Sequence, residues 1–271
     1  MSVHSQIARM TTAQIKKLKL QGEKITMLTS YDFTLARLVD AAGVDIILVG
    51  DSAANIVCGY DTTLPITVDQ MIFLASGVRR AAQHALVVVD MPFGSYQISD
   101  EQGVANAIRI LKESGCDAVK LEGGAEVAPM IRKMVTAGVP VMGHLGLTPQ
   151  SVNQFGGYGV RAKEQAEAQR LRDDALLLEQ AGCFSIVFEK IPAQLAAEVT
   201  STLTIPTIGI GAGAGTDGQV LVLHDMLGLN QGFKPKFLRH FAQLASQVDA
   251  AVKSYVEVVK DGTFPNEEES Y

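Results

Sequence analysis

A unit of helix, glycine and short apolar run recurs along this chain and limits the folds that it can adopt. Gly43, Gly115, Gly138 and Gly182 each follow a stretch with helical character, and each precedes a β-rich run of apolar residues. Glycine after a helix can take the left-handed conformation that ends the helix without a Cβ clash. Short apolar runs between turn signals are typical of strands that are buried on both faces, as in a parallel sheet. The repeat therefore indicates helices alternating with parallel strands.

The same pattern predicts eight strands, with helix-like segments in most of the gaps between them. In a chain of 271 residues, this indicates an α/β fold of the (β/α)8 TIM-barrel type, as a single domain over residues 1–271. An open doubly wound sheet is the alternative. The gap before the last strand is too short for a full helix. The predicted strands lie near residues 25–30, 45–50, 85–90, 118–122, 139–143, 185–189, 205–210 and 219–223.

Several predicted helices begin with a residue whose side chain can cap the first free N–H groups. Three of these residues have glutamine three positions later, which is the spacing of a capping box. We expect a short helix before the first strand to close the bottom of the barrel. The pairs are Thr11 with Gln14, Thr67 with Gln70, and Ser99 with Gln102, and Asp32 is a further cap for residues 33–42.

Composition excludes several classes of protein. With 47% hydrophobic and 19% charged residues, the chain is not globally disordered, and its net charge of -6 argues against a nonspecific nucleic-acid binder. No apolar run approaches the ~18 residues of a membrane span, and residues 1–10 lack the apolar core of a signal peptide. The three cysteines form no CxxC pair and indicate reduced thiols. We expect a cytoplasmic protein that acts on small molecules, with no nucleic-acid or membrane partner.

Carboxylates end three strands that are successive in the chain. Asp51, Asp90 and Glu122 follow the second, third and fourth predicted strands, and neighbouring parallel strands bring such residues to one end of the fold. Unpaired, three carboxylates would repel each other, and a hard cation such as Mg²⁺ removes that cost. Because Mg²⁺ takes one or two carboxylates directly, one of the three can act through water. Caps and pairing with lysines remain the alternative.

Lys120 and His144 add candidate functional groups to the same end. Lys120 lies two residues before Glu122 and so points to the same side of its strand. It is suited to neutralising a substrate carboxylate or enolate, and a buried ion pair with Glu122 is the structural alternative. His144 is a candidate base, oxyanion donor or hydrogen-bonded core histidine.

Glu189 ends an otherwise apolar strand. Burial there would raise its pKa toward the range of a general base, and pairing with Lys190 is the alternative. The glycine-rich segment 153–159 can be a lid or a static turn. A second glycine-rich segment, 209–215, does not fit the GxGxxG pattern well. It indicates close backbone approach after the seventh strand.

Over residues from about 25 to 230, the sequence resembles the ketopantoate hydroxymethyltransferase family. Long blocks such as GHLGLTPQSVN are specific to that family, whereas the first 24 residues and the region 162–170 depart from it. The matching stretches are MLTSYDFTLARL, ILVGDSAANIVCGYDTTLPIT, VVDMPFGSY, AVKLEGG, VPVMGHLGLTPQSVNQFGGY, IVFEKIP and IPTIGIGAG with TDGQVLVLHDMLG, and the tail GTFPNEE also looks like the family's ending.

The resemblance implies a (β/α)8 barrel that assembles as a homodecamer and acts in pantothenate biosynthesis. The family transfers a one-carbon unit from 5,10-methylenetetrahydrofolate to 3-methyl-2-oxobutanoate and forms 2-dehydropantoate through a Mg²⁺-stabilised enolate. The rival is a Mg²⁺-dependent lyase of the phosphoenolpyruvate mutase and isocitrate lyase group, but its KKCGH-type loop is absent from this sequence. A non-catalytic anion-binding barrel is a second rival.

The resemblance also assigns roles to individual residues. It implies that Asp51 and Asp90 are ligands of Mg²⁺ and that Glu122 completes the metal site. It implies that Glu189 is the proton acceptor. The residues expected to contact the keto acid are Asp51, Ser52, Asp90, Lys120 and His144.

Overall fold

Eight parallel strands form a closed barrel in which each strand pairs with its neighbours in chain order, β1 to β8, and β8 pairs with β1. The computed structural model describes residues 9–232 and 234–271, so most of the stretch that argues against a signal peptide lies outside the described residues. The closed barrel confirms the predicted TIM barrel and excludes the open sheet. The strands are β1 (Ile25–Thr29), β2 (Ile46–Val49), β3 (Leu86–Asp90), β4 (Ala118–Glu122), β5 (Val141–Gly146), β6 (Ser185–Glu189), β7 (Thr207–Ile210) and β8 (Gly218–Leu221).

Helices separate most of the strands, and no helix lies between β7 and β8, as the short gap in the sequence predicts. The helices are α1 (Thr12–Gln21), α2 (Phe33–Ala41), α3 (Ala53–Ile56), α4 (Val68–Ala81), α5 (Asp100–Ser114), α6 (Ala128–Thr136), α7 (Val152–Phe155), α8 (Gln165–Ala181), α9 (Ala193–Thr202), α10 (Leu223–Met226) and α11 (Leu244–Asp261).

The chain divides into two compact units, one that ends at Leu221 and holds the whole barrel, and one over Val222–Tyr271. The second unit contains α10 and α11, and within it the Tyr255 and Phe264 rings meet edge to face with centroids 5.8 Å apart. That residues 1–271 form one domain stays a prediction. Across residues 9–232 and 234–271, no helix has both the length and the apolar character that crossing a bilayer requires.

The predicted caps are present at the helix starts. Thr11 and Thr67 form reciprocal capping boxes with Gln14 and Gln70. Asp32 accepts from two backbone N–H groups of α2. Ser99 accepts from the Gln102 N–H at the start of α5, but the return bond from the Gln102 side chain is not formed, so the capping box predicted there is only half present. Gly115 (φ +74°) and Gly182 (φ +102°) end α5 and α8 in the left-handed conformation that the sequence predicts for glycine there.

Strand β5 begins and ends later than the sequence predicts. It runs from Val141 to Gly146 instead of 139–143. Pro140 has no N–H to donate to the ladder, so the strand starts after it, and pairing with β6 continues to Gly146, opposite Glu189. His144 therefore lies within the strand, paired in register with Glu122, and not just beyond its end. The side chain of His144 therefore points into the barrel, like that of Met142 two residues earlier.

Apolar side chains fill the barrel interior toward the amino ends of the strands. Ile25, Met27, Ile46, Leu48 and Leu86 belong to one buried cluster with other inward-facing residues. Met10 and Ile15, from the segment before β1, pack into the same cluster. The first helix therefore closes the bottom of the barrel, as predicted.

Asp40, near the carboxyl end of α2, forms hydrogen bonds with the segment that leads into β3. Its buried carboxylate accepts from the backbone N–H groups of Gln83, His84 and Ala85 at 2.8–3.0 Å. Buried N–H groups that lose their acceptor carry a desolvation cost. This carboxylate therefore supports the start of the strand that ends in Asp90.

Replacing Asp40 with alanine should lower the free energy of unfolding by about 3 kcal/mol, because three backbone donors, of which that of Ala85 is buried, lose a charged acceptor. Urea denaturation followed by circular dichroism measures the change. The matched control is Asp69→Ala, since Asp69 only pairs with Arg109 on the exposed surface, and such pairs contribute about 0–1 kcal/mol. Equal losses in the two variants would contradict the role of Asp40.

Candidate active site

The inward side of the strands changes from apolar to charged near their carboxyl ends. Side chains two apart along a strand share one face. Asp90 comes two residues after the inward Val88, and Lys120 and Glu122 come two and four residues after the inward Ala118. These three side chains are all buried. Alternation along the strands thus gathers the charged groups at the carboxyl mouth of the barrel.

The other two charged candidates follow the same rule. His144 lies two residues after the inward Met142, and Glu189 lies two residues after the inward Val187. Asp51 comes after the end of β2 and is also buried. The structure therefore brings together all the predicted strand-end residues.

Lys120 pairs with Asp90 across neighbouring strands. The Lys120 Nζ lies 2.8 Å from Asp90 Oδ1, so the ion-pair partner is Asp90, and not Glu122 as in the alternative from the sequence. Burial lowers the pKa of the Lys120 ammonium, but the carboxylates of Asp90, Glu122 and Asp51 outweigh it and raise the pKa above its ordinary value. Lys120 is therefore a permanent positive charge inside the barrel.

Asp51 lies where negative charge accumulates. Its backbone N–H donates to Asp90 Oδ2 at 3.1 Å. Burial, and then the carboxylates of Asp90 and Glu122, raise the pKa of Asp51 well above its usual range. Lys120 and a hydrogen bond from Gln150 act in the opposite direction but do not cancel that rise. The cluster thus holds more negative charge than its own cation neutralises.

His144 lies between two carboxylates. Its Nδ1 is 3.3 Å from Glu122 Oε1, and its Nε2 is 3.4 Å from Glu189 Oε2. Burial and the charge of Lys120 lower the pKa of the imidazole, but the contacts with Glu122 and Glu189 raise it more, to about 9. The two carboxylates thus favour the protonated ring, which can only donate, and Lys120 Nζ, 3.4 Å from Nδ1, acts against it. This favours the donor role among those that the sequence left open for His144.

Glu189 ends β6 with its side chain 17% exposed, so it is reachable from the mouth of the barrel. Lys190 turns away from it, because its Nζ donates to the backbone carbonyl of Tyr158. The pairing of Glu189 with Lys190 that the sequence allowed is therefore not the arrangement in the structure. Tyr158 belongs to the glycine-rich segment 153–159, and whether that segment moves as a lid stays a prediction.

Ser52 and Tyr31 form the edge of the site beside Asp51. The Tyr31 hydroxyl and the Ser52 Oγ are 2.8 Å apart. Gly50 leaves space beside them, since a Cβ at this position would lie 2.8 Å from Ser52 Oγ and 3.5 Å from Asp90 Oδ2. A small residue at position 50 thus keeps the region between the serine hydroxyl and the Asp90 carboxylate open.

Oxygen donors and unbalanced negative charge at this mouth suit a hard cation such as Mg²⁺. Within residues 9–232 and 234–271, however, no three or more His, Cys, Asp and Glu side chains are grouped as a set that could hold a metal ion. Glu122 uses Oε1 toward His144 and Oε2 toward the Gln150 N–H, 3.0 Å away. Asp51 and Asp90 together with water or substrate oxygens fit the usual Mg²⁺ requirement of one or two carboxylates.

Two residues without a role in the sequence analysis are central to this network. Gln150 donates to Asp51 Oδ2 at 2.8 Å, and the Tyr96 hydroxyl donates to Gln150 Oε1 at 2.7 Å. Both lie in loops, where no periodicity identifies a residue that points inward. The one signal was their place in the family-like stretches VVDMPFGSY and GHLGLTPQSVN.

A cavity of about 850 Å³ lies next to the charged cluster and shares Glu122 and Gln150 with it. Phe93, Phe155 and Arg161 also line it, with the Arg161 guanidinium 3.9 Å from the centre of the Phe155 ring. The buried charges lie beside this cavity and not at its centre. We place the chemistry at the cluster, because charged groups buried in a barrel need a function or a partner.

The glycines of segment 209–215 allow helix α9 to approach. A Cβ at Gly213 would lie 2.4 Å from Ala193 Cβ, and one at Gly215 would lie 2.5 Å from Ala197 Cβ. This confirms the predicted close backbone approach after the seventh strand.

Solved structures that resemble this barrel share its fold at low sequence identity. A 2,3-dimethylmalate lyase of the PEP mutase/isocitrate lyase superfamily is 18% identical, with a TM-score of 0.59 and coverage of 96% of this chain and 91% of that one. Phosphonopyruvate hydrolase, in complex with oxalate and Mg²⁺, is 12% identical, with a TM-score of 0.62 and coverage of 96% and 93%. At these identities the likeness shows the fold alone.

Comparison with related sequences shows the family of this chain as well as its fold. The sequence profile described as ketopantoate hydroxymethyltransferase matches residues 9–267. The 3-methyl-2-oxobutanoate hydroxymethyltransferase of Parabacteroides distasonis is 59% identical over 263 residues, 97% of this chain and 96% of that protein. The enzyme of the same name from Bacteroides fragilis is 58% identical over the same shares. The chain belongs to the ketopantoate hydroxymethyltransferase family.

Proposed function

We propose that this protein transfers a hydroxymethyl group from 5,10-methylenetetrahydrofolate to 3-methyl-2-oxobutanoate and so forms 2-dehydropantoate, a step of pantothenate biosynthesis. Relatives named 3-methyl-2-oxobutanoate hydroxymethyltransferase are 57–59% identical over 97% of the chain. The observation that carries the proposal is the buried cluster in which Lys120 lies 2.8 Å from Asp90 and His144 lies 3.4 Å from Glu189. It combines a charge that can hold an anion with a carboxylate that can accept a proton.

The cluster supplies the groups that bind the keto acid. Lys120 neutralises negative charge on the substrate, and the Ser52 hydroxyl and the His144 imidazolium add donors. Asp51 and Asp90 would hold Mg²⁺, as the family resemblance implies, and Glu122 would complete the site through water, since Mg²⁺ takes only one or two carboxylates directly. When bound, the ion would supply Lewis-acid polarisation of the keto oxygen.

Glu189 is the proposed base. Its carboxylate takes the proton from C3 of the keto acid, and the electron pair left at C3 attacks the methylene carbon of the folate as one of its two C–N bonds breaks. Water then displaces the second nitrogen and becomes the hydroxyl group of the product, and tetrahydrofolate leaves. Lys120 holds the negative charge that develops on the substrate oxygen, which a buried cation does at little cost of reorganisation. His144 lies beside this base, with its Nε2 3.4 Å from Glu189 Oε2, and so can hold the carboxylate in place.

The finer properties implied by the family belong to the same proposal. We expect a homodecamer in the cytoplasm with no nucleic-acid or membrane partner. Cys116 and Cys183 are buried and free, and Cys58 is exposed and free, which suits a reducing compartment. Light scattering after size-exclusion chromatography would measure the assembly directly.

Purified protein supplied with 3-methyl-2-oxobutanoate, methylenetetrahydrofolate and Mg²⁺ should make 2-dehydropantoate, detected by mass spectrometry. Product should disappear when EDTA removes the divalent cation and return when excess Mg²⁺ is added. A folded, Mg²⁺-loaded protein that gives no product would contradict the transferase activity. Cleavage of other 2-oxo acids would then favour the lyase group.

Glu189→Gln should slow deuterium exchange at C3 of the keto acid by about 100-fold or more, because the amide cannot accept the proton. Proton NMR of the substrate in D₂O follows the exchange, and calorimetry should show that the keto acid still binds. The control is Glu113→Gln, which changes an exposed carboxylate of α5. Exchange at the rate of the unmodified protein would exclude Glu189 as the base.

Asp90→Ala should lower turnover and Mg²⁺ affinity together, since it removes a cation ligand and the partner of Lys120. We expect a loss in kcat/KM of about 100-fold or more, comparable to other losses of charge-stabilising groups. Steady-state rates at increasing Mg²⁺ concentrations measure both effects, with Asp69→Ala as the surface control. A normal Mg²⁺ response with full activity would disprove the ligand role.

A further inference from the structure

Gln150 lies in the middle of the charged cluster, although the proposed chemistry gives it no step. It belongs to the 3-10 turn Pro149–Ser151 that follows β5, and it is buried. A buried amide needs partners for two N–H donors and for its carbonyl oxygen. Where those partners lie shows what the residue does.

Every hydrogen-bonding position of the Gln150 amide is used. Nε2 donates to Asp51 Oδ2 at 2.8 Å and to the Met91 carbonyl at 2.9 Å. Oε1 accepts from the Tyr96 hydroxyl at 2.7 Å and from Gln97 Nε2 at 3.1 Å. Because the Met91 carbonyl can only accept, it sets which end of the amide faces Asp51. The N–H group that meets the Asp51 carboxylate is therefore determined by the network.

The backbone of Gln150 reaches a second carboxylate of the cluster. Its N–H donates to Glu122 Oε2 at 3.0 Å. Tyr96 connects the same two residues, since its hydroxyl donates to Gln150 Oε1 and its oxygen accepts from the Glu122 backbone N–H at 3.2 Å. One residue thus joins Asp51, after β2, to Glu122, at the end of β4. The bond to Asp51 uses Oδ2 only, so Oδ1 is not committed to Gln150.

We propose that Gln150 is a positioning residue that orients the Asp51 carboxylate, and through its backbone N–H the Glu122 carboxylate, toward the divalent cation of the proposed reaction. Outer groups of this kind orient the ligands of a metal and are part of its affinity. Tyr96 acts one step further out, by holding the amide of Gln150 in the orientation that donates to Asp51. The inference rests on the proposed function for the identity of the cation.

Gln150→Met tests the role, because methionine keeps the length of the side chain and removes its donors. Titration calorimetry with Mg²⁺ alone should show about 10- to 100-fold weaker binding than in the unmodified protein, the usual effect of losing such an outer partner. In the transfer assay kcat should fall, and added Mg²⁺ should restore part of the loss. The control is Gln165→Met, an exposed glutamine at the start of α8.

A Mg²⁺ dissociation constant within twofold of the unmodified protein would overturn the proposal. Circular dichroism and thermal melting establish that the variant is folded. Should Gln150→Met fail to fold, Tyr96→Phe carries the test, since it keeps the ring and removes only the hydroxyl. We expect this variant also to weaken Mg²⁺ binding, and normal affinity in it would overturn the role of Tyr96.

The two substitutions together separate positioning from a general structural effect. If Tyr96 acts through Gln150, Tyr96→Phe should weaken Mg²⁺ binding less in the Gln150→Met background than in the unmodified protein. If the losses of Mg²⁺ affinity in the two single variants simply added up in the double variant, Tyr96 would not act through Gln150.

The outcome also distinguishes this inference from the proposed function. Weaker Mg²⁺ binding by the variant, in a protein that makes no 2-dehydropantoate, would support the positioning role and reject the transferase. Product formation together with an unchanged Mg²⁺ dissociation constant would support the transferase and reject the positioning role of Gln150.

Discussion

The buried ion pair between Lys120 and Asp90 is the interaction on which the mouth of the barrel depends. Charges inside a protein are costly unless they are paired and hydrogen-bonded. Here one lysine lies among the carboxylates of Asp90 and Asp51, at the ends of two other strands, and of Glu122 on its own strand. Because Lys120 faces Asp90 across the β3–β4 register, the pair also bridges two strands. Apolar packing stabilises the lower barrel, and charge balance governs the upper part.

The elements that carry this cluster could be predicted from the sequence because they depend on local rules. Glycine after a helix, a capping residue before one, and a short apolar run between them follow from backbone sterics and burial. The closed barrel confirms those rules. Asp90, Lys120 and Glu122 could be placed on one inward face because alternation along a strand is strict.

What the sequence did not predict depends on contacts between distant segments. Lys120 pairs with Asp90 and not with its near neighbour Glu122, because the register between β3 and β4 sets the distance. His144 lies within β5 because the pairing of that strand with β6 continues to Gly146, opposite Glu189. Gln150 enters the cluster from a turn, where neither helical nor strand periodicity predicts the direction of a side chain. Pairing, register and loop direction are tertiary properties, and local patterns do not determine them.

The plug formed by Met10 and Ile15 at the amino end of the barrel has a kinetic consequence. Among the described residues, these side chains occupy the amino end, and the charged cluster lies toward the carboxyl mouth, where Glu189 is partly exposed. In the proposed reaction two substrates of very different size would share that entrance. The small keto acid, which must reach Lys120 and Asp90, would lie below the bulky folate. Such a geometry favours an ordered mechanism, in which the deeper ligand enters first and its product leaves last.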